Sequence, residues 1–232
     1  MNKTLYKKIR KILGSRAIRY PVINAFHLIW YHSESTWAKN TFLGYPIQQC
    51  PFDMHLYQKL VYRVRPSFII QTGVAFGGSL LYFASLLDLI GAPPEATVVG
   101  IDRELTPSAR SLIHPRIHLL EGNSVDPEVV ERVRPLLSGS NGFVSLDSDH
   151  SEAHVLSELF AYREFVGVDS YIVAEDANIN GHPVQIRSGP QPGPLEAVNK
   201  FLASDSRFVR DDAVWRRNLF SFHQGGWLKR VA

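Results

Sequence analysis

From residue 67 onward the chain alternates short apolar runs that stop on glycine or an acid with longer stretches of helical period. The runs are 67–73 (SFIIQTG), 97–102 (TVVGID), 116–121 (RIHLLE), 142–147 (GFVSLD) and 170–175 (SYIVAE). Each is β-branched and apolar on both faces, which suits a strand covered by helices on both sides. Between them, 79–90 carries Leu80, Phe83, Leu87 and Ile90 on one helical face. The next helix, 126–137, opens with Asp126 as cap and Pro127 at its first position, and 151–166 forms a third. A Gly/Pro-rich loop over 180–194, a helix near 195–203 and two late strands near 207–211 and 219–228 complete the order. Strands alternating with helices predict βαβ units, a mostly parallel sheet and right-handed crossovers. In such a sheet a ligand sits beyond the carboxyl ends of the strands. The residues to watch are therefore Gly73, Asp102, Gly122, Asp147 and Glu175.

Composition narrows the class. At 232 residues, 45% hydrophobic and 20% charged, the chain fits one globular domain and neither a disordered nor a fibrous one. Cys50 stands alone, so an internal disulfide framework and a cysteine zinc site are excluded. No apolar run approaches the ~18 residues of a membrane span, and no signal-peptide pattern is visible, so the expected setting is cytoplasmic. Charge is uneven. Residues 1–33 hold seven bases and no acid, a charge of +7, leaving −4 on the remainder. Organisation follows that break: a basic N-terminal amphipathic segment over 1–33 and the main domain over 34–232. Bases confined to a tail argue against nucleic acid, which more often meets bases on the folded domain with interleaved aromatics. The tail predicts a helix with Leu5, Ile9, Ile12 and Leu13 on one face and Lys3, Lys7, Arg10 and Lys11 on the other, ended by Gly14. Residues 1–19 either lie on the inner face of an anionic membrane as a peripheral contact, or pack on the domain or on a second subunit.

Two strand-end clusters carry chemistry. Gly73, Gly77, Gly78 and Ser79 form a glycine turn after the first strand, spaced unlike the G-x-G-x-x-G of a dinucleotide site. Asp102 ends the second strand, where a carboxylate either accepts both hydroxyls of a ribose or caps the following turn. Together these predict an adenosine-type ligand. Asp147 closes the fourth strand, and Glu175 and Asp176 close the fifth. Three carboxylates at one edge repel unless a cation joins them, and hard oxygen donors suit Mg²⁺, Mn²⁺ or Ca²⁺. His150, three residues past Asp147, is the candidate general base, since an imidazole accepts a proton near neutral pH. His154 is expected to point along its helix, away from the strand end. His114, His118 and His182 have no acid cluster beside them in sequence.

The segments TGVAFGGS, LDSDHSEAHVLSEL, EDANINGHPV with the following SGPQPGPLEAV, and the upstream WAKNTFLGYPIQQCPFDMHLYQKLVYRVRP give the chain a family resemblance over roughly 30–228. It resembles the cephalosporin hydroxylase and rhamnosyl O-methyltransferase family, relatives of the macrolide-sugar O-methyltransferases. The resemblance implies a Rossmann-like class I methyltransferase fold with a seven-stranded, mostly parallel sheet. It implies S-adenosylmethionine as methyl donor and Mg²⁺ (or Mn²⁺) as metal. The acceptor it implies is a rhamnose-like deoxysugar on a glycolipid, polysaccharide or natural product, and it leans toward a homo-oligomer. By the same resemblance Gly73, Gly77, Gly78 and Ser79 line the methionine end of the cofactor. Asp102 holds the ribose, Asn123 and Ser124 lie near the adenine, and Trp37 and Thr41 fold over the cofactor. Asp147, Glu175 and Asp176 are the implied metal ligands and His150 the implied base. Gln71 stands where the family commonly has glutamate and still offers a hydrogen bond to the cofactor's amino group; Ala177 stands where threonine or serine is common. Two other functions compete: a nicotinamide oxidoreductase, which wants the six-residue glycine turn, and a non-catalytic partner domain, which predicts lost ligands. The intact set of acids and histidine favours catalysis.

Overall fold

The computed structural model describes residues 2–186 and 191–232; part of the 180–194 loop, with the start of SGPQPGPLEAV, lies outside the described residues. Two helices come first, α1 (Lys3–Leu13) and α2 (Arg16–His32), then a short antiparallel hairpin, β1 (Thr41–Phe42) with β2 (Tyr45–Pro46). Helix α3 (Pro51–Val64) has Pro51 in its first turn, where a missing amide hydrogen costs nothing, and ends at Arg65 in the left-handed region. The alternation follows as β3 (Phe68–Thr72), α4 (Gly78–Leu89), β4 (Thr97–Asp102), α5 (Pro107–Arg110), β5 (Ile117–Glu121), α6 (Pro127–Val133), β6 (Gly142–Leu146), α7 (Glu152–Tyr162) and β7 (Tyr171–Ala174). The chain closes with α8 (Pro194–Ser204), β8 (Phe208–Arg210), α9 (Ala213–Arg216) and β9 (Trp227–Arg230).

The seven strands β3 to β9 form one sheet in the order β5-β4-β3-β6-β7-β9-β8. The first five are parallel, and only β9 pairs antiparallel, with β7 and with β8. This is the seven-stranded class I methyltransferase arrangement that the resemblance implies. Strand order reverses at β3, which has β4 on one side and β6 on the other. A crevice opens at that reversal beyond the carboxyl ends.

Successive residues of each strand feed opposite faces. Ile70, Val99, Val144 and Ile172 join Leu159 of α7 and Phe201 of α8 on one side. Ile69, Val98, Phe143 and Val173 join Tyr57 of α3 and Phe83 of α4 on the other. Burying each such side chain is worth roughly 1.5–3 kcal/mol, so the double layer dominates stability. A satellite cluster of Cys50, Phe220 and Phe222 anchors Ile23, Trp30 and Tyr31 of α2.

Several expected boundaries move, each for a local reason. The 126–137 helix begins as expected, with the Asp126 side chain accepting from the Glu128 amide. It stops at Val133, because Pro135 has no amide hydrogen, and Arg134–Leu136 continues as a 3₁₀ turn. The 151–166 helix likewise gives way to a 3₁₀ turn at Arg163–Phe165. The late 219–228 strand shrinks to Trp227–Arg230, since Phe220 and Phe222 are taken by the satellite cluster. The tail is helical and ends at Gly14, although that glycine is right-handed at φ −79 and uses no special freedom.

Candidate active site

A cavity of about 520 Å³ opens beyond the ends of β3, β4 and β6. Gly73, Gly78 and Ser79 form one wall, Asp102, Asn123 and Ser124 a second, and Asp147, His150 and Asp176 a third, with Trp37 at the side. Thr41, Gln71, Gly77 and Glu175, read from the sequence as site residues, are not among the residues that line it.

The glycine turn is shaped by contacts with its own scaffold. Gly73 has φ +76, and a β-carbon there would lie 1.8 Å from the Asp147 carbonyl oxygen. Only glycine lets β3 leave the sheet hard against the end of β6. Gly77 faces the other way: its φ is +89, and a β-carbon there would meet Leu112 at 2.4 Å. Its place at the amino end of α4 is therefore a packing demand rather than a cavity wall. Gln71 is buried, donates to the Gly73 carbonyl at 2.9 Å and the Ser79 hydroxyl at 2.8 Å, and keeps its Oε1 without a partner. Thr41 lies exposed on β1.

Asp102 caps the turn that follows it, one of the two roles expected of it, and also reaches back to the glycine turn. Its Oδ2 accepts from the Val74 and Ala75 amides at 2.8 and 3.0 Å, and its Oδ1 from the Glu104 amide at 3.2 Å. The carboxylate thus ties β4 to the glycine turn while lining the cavity. Ser124 donates to Glu158 at 2.6 Å, and Ser148 donates to the same oxygen at 2.7 Å. His154 departs from expectation. It lines the cavity, with Nε2 3.1 Å from the Ser124 hydroxyl and 3.4 Å from Glu158, its neighbour one turn on. The i,i+4 spacing on α7 puts both side chains on the face that meets Ser124.

The acid cluster grows out of strand register. Leu146 of β6 pairs with Ala174 of β7, so Asp147 and Glu175 leave the sheet side by side. Asp176 follows with φ +50, a left-handed turn fixed by its amide donating to His223 Nδ1 at 3.0 Å. His150 Nε2 then lies 3.7 Å from Asp176 Oδ2 and 4.0 Å from Asp147 Oδ1. One potential ligand atom each from Asp147, His150 and Asp176 falls within 4.8 Å of the others. Glu175 is not in that group, because its oxygens are used behind it. It is buried and accepts from the hydroxyls of Tyr57, at 2.6 Å, and Ser145, and from the Gln49 amide. The same Gln49 nitrogen reaches Asp147 Oδ2 at 3.3 Å, so Glu175 adjoins Asp147 across one shared donor.

Electrostatics at this edge are unfavourable in a way that invites a cation. Burial pushes the Asp147 carboxyl well above the usual carboxylate range, and Glu175, Asp176 and Glu158 push it further. Asp176 is also raised, by burial first, with Glu175 adding and His150 and His223 opposing. Burial works against a charged His223, but Asp53, Glu175 and Asp176 outweigh it and hold that imidazole's pKa up. Gln49, Tyr57, Asp53 and His223 went unread in the sequence. They come from β2–α3 and the approach to β9, more than 40 positions from any acid they serve, with no spacing that announces them.

The family model described as rhamnosyl O-methyltransferase/CmcI matches residues 34–231. A rhamnosyl O-methyltransferase of Mycobacterium tuberculosis is 38% identical over 201 residues, covering 85% of this chain and 78% of its own. That of Mycobacterium leprae (strain TN) is 35% identical over 205 residues, 87% of each chain. Among solved structures, a CmcI described with Mg and SAM aligns at a TM-score of 0.65 and 23% identity, over 88% of this chain and 84% of its own. An O-methyltransferase from Bacillus cereus in complex with SAH aligns at 0.52 and 14% identity, over 90% and 89%. At those identities the structural likeness speaks for the fold, while the sequence match is broad enough to assign kinship: the chain belongs to the rhamnosyl O-methyltransferase/CmcI family.

Proposed function

We propose that the protein is an S-adenosylmethionine-dependent O-methyltransferase that methylates a hydroxyl of a sugar-containing acceptor, a rhamnose-like deoxysugar, with Mg²⁺ or Mn²⁺ as its metal. The observation that carries this is the convergence of Asp147, His150 and Asp176 on the same cavity as the glycine turn. The names of the sequence relatives, rhamnosyl O-methyltransferases, support the acceptor class.

The donor set suits the metal. Carboxylates raised by burial and by one another gain from a divalent charge, and the cluster offers oxygen and imidazole but no thiolate. Asp147 and Asp176 would hold the ion, with Glu175 adding a third negative charge across Gln49. The cavity suits the methyl donor: its volume lies within the usual range for small-molecule sites, and Asp102, Asn123 and Ser124 set polar groups along one wall. Gln71 lies behind the turn, holding Gly73 and Ser79 in place through its amide nitrogen.

When bound, the cofactor supplies a methyl group made electrophilic by its sulfonium, and the cation supplies charge that orients sugar oxygens and lowers a hydroxyl's pKa. His150 holds the proton-accepting role. Its Nε2 is too far from either carboxylate for a hydrogen bond, so that nitrogen is left to meet the hydroxyl proton as the C–O bond forms and the methyl group's bond to sulfur breaks. Such a base typically contributes ~10²–10⁴-fold. Tyr31 and Trp37 line one side of the cavity.

The test is methyl transfer from isotopically labelled S-adenosylmethionine to rhamnose-bearing acceptors, read by mass spectrometry. Transfer should require Mg²⁺ or Mn²⁺ and stop with chelator. A protein that binds the cofactor yet transfers no methyl to any deoxysugar acceptor with metal supplied does not have this function.

A further inference from the structure

Helices α1 and α2 leave apolar faces that nothing among the described residues covers. In α1 no residue is buried. Leu5, Ile9 and Ile12, spaced by four and three, are 52%, 38% and 57% exposed, with Tyr6 and Leu13 beside them. Lys3, Lys7, Lys8, Arg10 and Lys11 occupy the rest of the circumference. Helix α2 is apolar on two sides. Its inner side holds the buried His27 with Ile23, Trp30 and Tyr31 against Phe220 and Phe222. Its outer side carries Ile18, Val22 and Ile29, with Val22 and Ile29 62% and 67% exposed. A helix that meets the core on one face usually turns a polar face outward. This one does not.

We propose that α1 and the outer side of α2 form a peripheral docking face for an anionic lipid bilayer. Charge selects this occupant. Residues 1–33 carry seven bases and no acid, so a second copy laid face to face would set like charge against like. An anionic headgroup layer complements them all. The apolar stripe enters the headgroup–acyl boundary while the lysines and arginines beside it reach phosphate, as in interfacial helices generally. Among the described residues no helix is long and apolar enough to cross a membrane, so the contact lies on the surface rather than through it. The family match begins at residue 34, after both helices, so the docking face lies outside the matched domain. Helix α2 also carries Tyr31 to the cavity wall, which joins the docking face to the site through one helix.

The test is co-sedimentation of the full-length chain with vesicles of phosphatidylcholine, with and without about one-third phosphatidylglycerol, at low and high salt. The chain should pellet with anionic vesicles at low salt, and apparent affinity should fall ~10-fold or more in high salt or with neutral vesicles. Ile9→Glu with Ile12→Glu, and separately Val22→Glu with Ile29→Glu, should each weaken binding ~10-fold. Lys7→Glu with Lys11→Glu should do the same. All six positions are exposed, so melting temperature should hold and separate lost binding from lost fold. No binding to anionic vesicles at low salt overturns the proposal. So does equal binding to neutral vesicles, and so does a dimer in light scattering that Ile9→Glu with Ile12→Glu breaks while vesicles are ignored. The readout is lipid binding, so its failure is independent of whether the chain transfers methyl groups.

Discussion

His150 stands 3.7 Å from one carboxylate and 4.0 Å from another, close enough to share their field and too far to be tied up by them. Those distances suit a base that acts only as the proton moves. His150→Ala is therefore expected to lower turnover by ~10²-fold or more while cofactor affinity, measured by calorimetry, changes only a few-fold. If metal affinity collapses instead, His150 is a ligand, which the compact Asp147–His150–Asp176 group also permits. Asp147, Asp176 and His150 were legible in the sequence because a strand-end rule fixes where such residues go, whatever the rest of the chain does. Glu175 was legible as a strand-end acid but not in its direction. Tyr57, Ser145 and Gln49 decide that, and two of these three come from outside the strand–helix alternation. Asp102 shows the same limit on a smaller scale, since its hydrogen bonds to Val74 and Ala75 depend on the path of a turn 27 residues upstream.

At the scale of elements, the parallel core was legible and its attachments were not. Strands β3 to β7 appear within a residue or two of expectation because a strand buried on both faces leaves an unbroken apolar signature. Helix α2 had no such signature: Pro21 sits inside it, and its apolar residues point two ways. What holds it is the contact of His27 with Phe220, with ring centroids 4.1 Å apart, and the bridge His27 makes between Gln224 and Asn178. Burial lowers the His27 pKa to about 4. Its folded pKa is thus below its unfolded value near 6.5, so the unfolded chain takes up the proton first as pH falls. The stability it confers is complete above about pH 6.5 and declines from there toward pH 4, by up to about 3 kcal/mol. Denaturant melts of wild type and His27→Phe across pH 4–7 should show a pH slope in the wild type that the variant lacks in that part. An identical slope in both would place the dependence elsewhere.

For the whole molecule, the consequence of the acid cluster is a conflict between stability and function. The core of two apolar layers stabilises the fold, while Asp147, Glu175 and Asp176 oppose it by crowding like charge at partly or fully buried positions. A cation that binds only the folded chain offsets that repulsion and adds its own binding free energy to unfolding, about 2.7 kcal/mol at a hundred times its dissociation constant. For a chain of this size that corresponds to a rise in melting temperature of roughly 5–10 °C. Removing one of the repelling charges should act in the opposite sense on the two states. Asp147→Asn keeps the shape and the contact with Gln49, and it relieves repulsion, so the variant should melt higher than wild type in chelator. In saturating Mg²⁺ the order should reverse, because only the wild type gains, and methyl transfer by the variant should be lost. Melting curves of both proteins, with chelator and with Mg²⁺, give the four values needed. If wild type shows no rise with Mg²⁺ or Mn²⁺ and Asp147→Asn melts lower in chelator, the carboxylates are structural caps held by Gln49 and their neighbours, and the cluster is not a metal site.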